Sequence, residues 1–150
     1  MIGFETKIMK ISAKVDYACR ALLELASHWP QTGPIQISVI AKNQKVPMKF
    51  LVHILIELKQ LGYVDSVRGK MGGYVLTMAP EQIKFIDVVK NLGGLGFSSS
   101  RKQSKRQAVH VMDLIWQEVT EALDNAMDQI NFETICHREH SQDKIVMYEI

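Results

Sequence analysis

PMKFLVHILIELKQLGYVDSVRGKMGGYVL, Pro47 to Leu76, joins a helical period, a glycine stop and two short β-like runs. Phe50, Leu51, Ile54, Leu55, Leu58 and Leu61 recur at helical spacing and predict one apolar face, with Met48, Lys49, Val52, His53 and Lys59 pointing largely away. Pro47 suits a first helical position, where a missing N–H costs nothing, and Gly62 suits the stop. The remainder predicts a hairpin: strand Tyr63–Val67, tip Arg68–Gly73, strand Tyr74–Thr77. Three glycines and two cations at the tip admit a phosphate cradle, a nucleic-acid probe or a plain turn. A phosphate-binding P-loop needs GxxxxGK[ST] opening a helix; here Met71 follows Gly69-Lys70, position 64 is valine and a strand comes next. Taken alone, the tip reads as a plain turn.

The residues upstream change that. Ser12 can cap a helix through AKVDYACRALLELASHW, with Val15, Cys19, Leu22, Leu25, Ala26 and Trp29 at helical spacing and Asp16 in the first turn, where the helix dipole favours a carboxylate. PQTGP, Pro30 to Pro34, stops it. A short helix in IQISVIAKNQ, carried by Ile37, Ile40 and Ala41, leads through Lys45, Val46 and Pro47 into the helix quoted above. Helix, short helix, turn, helix, hairpin is the layout of a winged helix-turn-helix. With a helix pair directly upstream, RGKMGG reads as a wing.

Downstream, Pro80 opens PEQIKFIDVVKNL, read as one helix with Ile83, Ile86, Val88 and Val89 inward. Residues 93–106, GGLGFSSSRKQSKR, read as a flexible basic linker. In the long helix that follows, Val109, Met112, Trp116, Val119, Leu123, Ala126 and Ile130 are spaced alternately three and four apart. That is a coiled-coil seam, and a partner helix is its expected cover, with packing on its own domain as the alternative. The tail, NFETICHREHSQDKIVMYEI, is mixed and predicts at most a short helix. The expected organisation is therefore a DNA-binding domain over 1–92, a linker over 93–106, and a dimerisation helix with tail over 107–150. The fold class is mainly α with a small β-hairpin.

Composition narrows the function. The chain has 150 residues and 47% hydrophobic content, enough for a core. No apolar run approaches the 18–20 residues, roughly, of a membrane span, and the start has no signal-peptide core, so no membrane partner and a cytoplasmic location are expected. Residues 1–90 carry 12 Lys+Arg against 7 Asp+Glu, and residues 91–150 carry 6 against 9. A basic first part fits binding to a polyanion. Lys49 and His53, on the recognition helix with Pro47, Met48 and Val52, can approach base edges or phosphates in a major groove. Arg68 can enter a narrow minor groove, Lys70 can meet phosphate, and Gly72 and Gly73 would let the wing approach the DNA backbone. No nucleophile elbow or acid–base pair emerges, so an enzyme is not expected.

These stretches resemble the Rrf-type winged-helix transcription regulators, the IscR, NsrR and CymR group. MKISAKVDYACRALLELA (Met9–Ala26), Ile40–Leu76 and APEQIKFIDVVKNLGG (Ala79–Gly94) carry the resemblance in family order, and the VRGxxGGYxL wing is its most specific part. It implies a homodimer on a partly palindromic operator, most simply a repressor, with the helix from about Gln107 to Ile130 as the dimerisation helix. It also makes residues 1–8 an extension or Met9 the start. The departures bear on cofactors. Iron–sulfur members carry three cysteines between the paired glycines and the long helix; residues 93–110 here contain none, and His110, near the third position, is one imidazole. No cofactor is expected. Val52 stands where some members place a base-reading glutamate, and Gln36 replaces the usual Ser/Thr cap.

Cys19, on the first helix, reads as core, while Cys136 and His140, at i and i+4, are a minor candidate for a metal or redox handle. Two alternatives stay open: a thiol-, metal- or ligand-responsive sensor on the same fold, with an unknown effector, and a dimeric protein-interaction module that has lost DNA binding.

Overall fold

The computed structural model describes residues 10–94 and 110–148. Six α-helices and one hairpin follow in order: α1 (Ala13–Ser27), α2 (Ile37–Gln44), α3 (Met48–Gln60), β1 (Val64–Val67), β2 (Gly73–Leu76), a 3-10 turn (Pro80–Gln82), α4 (Phe85–Asn91), α5 (Val111–Asp128) and α6 (Phe132–Tyr148).

α1 is the centre of the molecule, packing against α2, α3, β2 and α6. Ser12 Oγ accepts from the Val15 N–H at 3.2 Å, satisfying one of the helix's open donors. Val15, Ala18, Ala21, Leu22, Leu25 and Ala26 are buried, and the alanines let neighbouring helices come close. Leu51, Ile54, Leu55 and Leu58 give α3 its inward face. Each fully enclosed leucine contributes about 1.5–3 kcal/mol. Lys45 in the left-handed conformation closes α2, and Gly62, at φ +87°, turns the chain from α3 into the hairpin.

The hairpin is antiparallel, with Val64 opposite Leu76 and Val67 opposite Gly73. The segment before α2 closes its outer side. The Ile35 N–H donates to the Tyr74 carbonyl at 2.9 Å, and the Tyr74 N–H donates to the Ile35 carbonyl at 2.8 Å. Gln31 extends this pairing with its side chain: Nε2 donates to the Tyr74 carbonyl at 3.3 Å and Oε1 accepts from the Leu76 N–H at 2.7 Å.

Several expectations are corrected. Phe50 and Leu61 are 46% and 38% exposed, so neither belongs to the inward face of α3. Phe50 instead stacks on Tyr17 at 6.2 Å, with Lys49 Nζ 4.9 Å from its ring centre. Trp29 lies beyond the end of α1 and is exposed. PEQIKFIDVVKNL is not one helix: the chain leaves helical geometry at Ile83, where its carbonyl accepts from the Phe132 N–H, and the Phe85 N–H donates to the Ile130 carbonyl. Those long-range bonds replace the helical ladder there, although Ile83, Ile86, Val88 and Val89 are buried as expected. The tail forms a 17-residue helix, α6, rather than a short one. Asn131 starts it, its Oδ1 accepting from the Thr134 N–H at 2.9 Å, and Phe132 is fully buried. Most of the expected linker, residues 95–106, lies outside the described residues.

Candidate nucleic-acid interface

α3 and the hairpin tip expose most of the residues assigned to DNA. Pro47, Met48, Lys49, Val52 and His53 are exposed around the N-terminal half of α3, and Arg68 and Lys70 are exposed on the tip. The ion pairs separate two classes of cation. Lys14 meets Glu57 at 2.8 Å, Arg20 meets Asp16 at 3.0 Å, Lys59 lies 3.7 Å from Asp65, and Lys84 and Lys90 meet Asp128 and Asp124. Lys42, Lys45, Lys49, Arg68 and Lys70 pair with no carboxylate among the described residues, and neither do Lys10, Arg138 and Lys144 outside the helix pair and wing. Five of these eight cluster together. These five occupy the end of α2, the turn into α3, the start of α3 and the tip. Unneutralised cations are what a polyanion surface requires. Sequence reasoning missed Lys42 and Lys45, whose only signal was their place beside the helix pair.

The tip is held from behind. Gln36, which makes no helix cap, donates from Nε2 to the Lys70 carbonyl at 3.3 Å, tying the start of α2 to the wing. Gly72 is buried and Gly73 half-buried. A Cβ at Gly73 would run into the Ile35 carbonyl, and one at Gly72 into the Val67 carbonyl. Their lack of a side chain therefore serves the protein's own backbone contacts first.

α1 and α2 are locked by Glu24, which is 5% exposed. Its carboxylate accepts from Asn43 Nδ2 at 2.7 Å and Gln44 Nε2 at 2.8 Å, and lies 3.2 Å from His28 Nε2. Burial pushes the Glu24 carboxyl upward, but the bonds from Asn43, Gln44 and His28 outweigh it and hold the group below its ordinary value.

The seam of the long helix divides. His110 caps α5, its Nδ1 accepting from the Met112 N–H at 3.0 Å, with Asp113 returning the bond. From there Val111, Met112, Leu114, Ile115, Trp116 and Val119 are 42–63% exposed. Further along, Leu123 packs against the core, Met127 is buried and Ile130 is half-buried, while Ala126 is exposed. The far end of α5 thus rests on its own α4, with Lys90–Asp124 across the contact. Val109 lies outside the described residues.

A profile of the Rrf2 family, described as an iron-dependent transcriptional regulator, matches residues 11–138. The chain belongs to the Rrf2 family of transcriptional regulators. Its fold is shared with solved relatives. The structure of T. potens IscR superposes with a TM-score of 0.74 at 28% identity, covering 87% of this chain and 88% of that one. CymR of Bacillus subtilis, solved as the global cysteine regulator, gives 0.73 at 26% identity, covering 87% and 98%. An rrf2-like HTH-type regulator of Rhodobacter capsulatus is 40% identical over 86 residues, 56% of this chain and 57% of that one. The chain thus spans about half the length of the first such relatives it matches.

The described residues of this Rrf2-family chain do not gather the donors that an iron cluster needs. A cluster needs about four converging thiolates or imidazoles. The chain has two cysteines, and residues 93–109 contain no Cys, His, Asp or Glu. Burial pushes the Cys19 thiol up to about 12, with Asp16 adding to it. Burial, then Glu139 and Glu133, push the Cys136 thiol up to about 11. Neither favours the thiolate that binds metal. Cys136 is buried on α6 whereas His140 is exposed, and no three of His, Cys, Asp and Glu converge among the described residues. The residues present do not fit an iron site within one chain. Also among the described residues, no helix is long and apolar enough to cross a membrane.

Proposed function

We propose that this chain binds a partly palindromic operator as a homodimer and represses transcription by occupying it. The observation that carries this is the set of unpaired cations, Lys42, Lys45, Lys49, Arg68 and Lys70, around α3 and the wing. α3 enters the major groove with Lys49 and His53 at its leading end. The wing lies along the backbone or minor groove, with Arg68 as its probe. The exposed apolar face of α5, from Val111 to Val119, is what a second copy would cover. Two copies joined there set half-sites about one helical turn, roughly 34 Å, apart. A module that had kept dimerisation and lost DNA binding would have no use for this ring of cations. A thiol- or metal-triggered sensor finds little support in one half-buried and one buried cysteine, both with raised pKa.

The test is selection of an operator from random DNA, followed by titration at several salt concentrations. Arg68→Ala should weaken operator binding by about fivefold or more at fixed salt. Lys49→Ala should lower affinity across many sequences and flatten the log–log salt slope by about one unit. Unchanged binding in both variants would remove α3 and the wing from the interface.

A further inference from the structure

Between its cations, the outer side of α3 carries an apolar ridge. Met48, Val52 and Ile56 follow one another at i, i+4 and i+8, and are 43%, 39% and 47% exposed. None belongs to the inward face, which is made by Leu51, Ile54, Leu55 and Leu58. Lys49 and His53 run alongside as the neighbouring ridge. Charged side chains would be the ordinary occupants of an exposed helix face, so three successive apolar residues need a partner. The unpaired cations Lys42, Lys45, Lys49, Arg68 and Lys70 flank the ridge in sequence, which makes a polyanion the complementary partner rather than an apolar protein face.

Within a major groove, the apolar feature a base pair offers is the C5 methyl of thymine. Guanine, cytosine and adenine present only donors and acceptors there. A valine or isoleucine set against them would strip their water and return no hydrogen bond. We propose that the Met48–Val52–Ile56 ridge reads thymine methyl groups, and so adds selection by apolar contact beside the polar Lys49 and His53. This rests on α3 being the major-groove helix. The rise from Met48 to Val52 is about 6 Å, close to two base-pair steps, so the methyls read by adjacent ridge residues lie roughly two steps apart.

The experiment replaces the thymines of the selected operator one at a time by deoxyuridine, which deletes the methyl and leaves every hydrogen-bonding group in place. Affinity is read by fluorescence anisotropy at fixed salt, with wild type and with Val52→Ala, a variant of an exposed residue. The expected result is one to three positions per half-site at which uracil raises Kd about threefold to fivefold, the scale of one buried methyl. At the position facing Val52 that penalty should shrink in Val52→Ala. Equal binding of every uracil-substituted operator, with specific binding retained, would overturn the methyl reading and leave the DNA-binding proposal standing. So would an undiminished uracil penalty in Val52→Ala, Met48→Ala and Ile56→Ala alike. Failure of the selection to enrich any sequence would instead overturn the assignment of α3, and the ridge with it.

Discussion

Glu24 is the one charged side chain buried among the described residues, and it joins α1 to the end of α2. Its folded-state acidity is greater than its ordinary value of 4.5. The stabilisation it supplies is therefore complete above that value and is lost as pH falls through the lower, folded one. Stability measured by urea unfolding should decline on acidification in that window, and Glu24→Gln should flatten the decline. Glu24→Ala should cost about 2–4 kcal/mol at neutral pH, because Asn43 and Gln44 lose their charged acceptor together. Little of this was legible in the sequence. A glutamate in the second half of an amphipathic helix is expected to face water, and the amides that hold it come from residues 43 and 44, across a turn. The cations of the wing were legible because Arg68 and Lys70 sit within a recognisable tip. Gln31 and Gln36 were not, since their work is to hold a strand and a carbonyl distant in sequence.

At the scale of elements, α5 shows what periodicity can and cannot tell. The three–four spacing correctly marked an apolar face, but spacing carries no information about where along the helix its cover changes. That division follows α4, whose Lys90 pairs with Asp124 on the later turns. Trp116, 55% exposed near the middle of the uncovered stretch, is the most informative position. Trp116→Glu should leave the fold intact by circular dichroism and weaken self-association at least tenfold by light scattering or sedimentation, since it sets a charge in an apolar contact. A dimer of undiminished strength would place the interface elsewhere. The break between the 3-10 turn and α4 was invisible for a related reason. Its cause is a pair of backbone bonds to Ile130 and Phe132, some fifty residues away.

For the molecule as a whole, α6 returns the C-terminal part of the chain to α1 and adds Phe132 and Cys136 to the core. Its sequence hid this, because Phe132 and Cys136 are followed by an unbroken polar run, His137 to Lys144, which masks the apolar side of the first turns. Phe132→Ala should cost about 3–5 kcal/mol in urea or thermal unfolding. The loss should appear as one cooperative transition shared by all the described elements, since Phe132 belongs to the same core as α1 and α3. Two separated transitions would show instead that α6 and the DNA-binding elements unfold independently.

The bonds from Ile35 and Gln31 to Tyr74 and Leu76 matter beyond the wing's aim. A two-stranded ribbon ordinarily leaves a row of bare amides and carbonyls, a template on which another chain can add a strand. Here the backbone of one residue and the side-chain amide of another occupy that row. The ribbon keeps its tip available to a nucleic acid while the outer edge of β2 offers no foothold for an added strand.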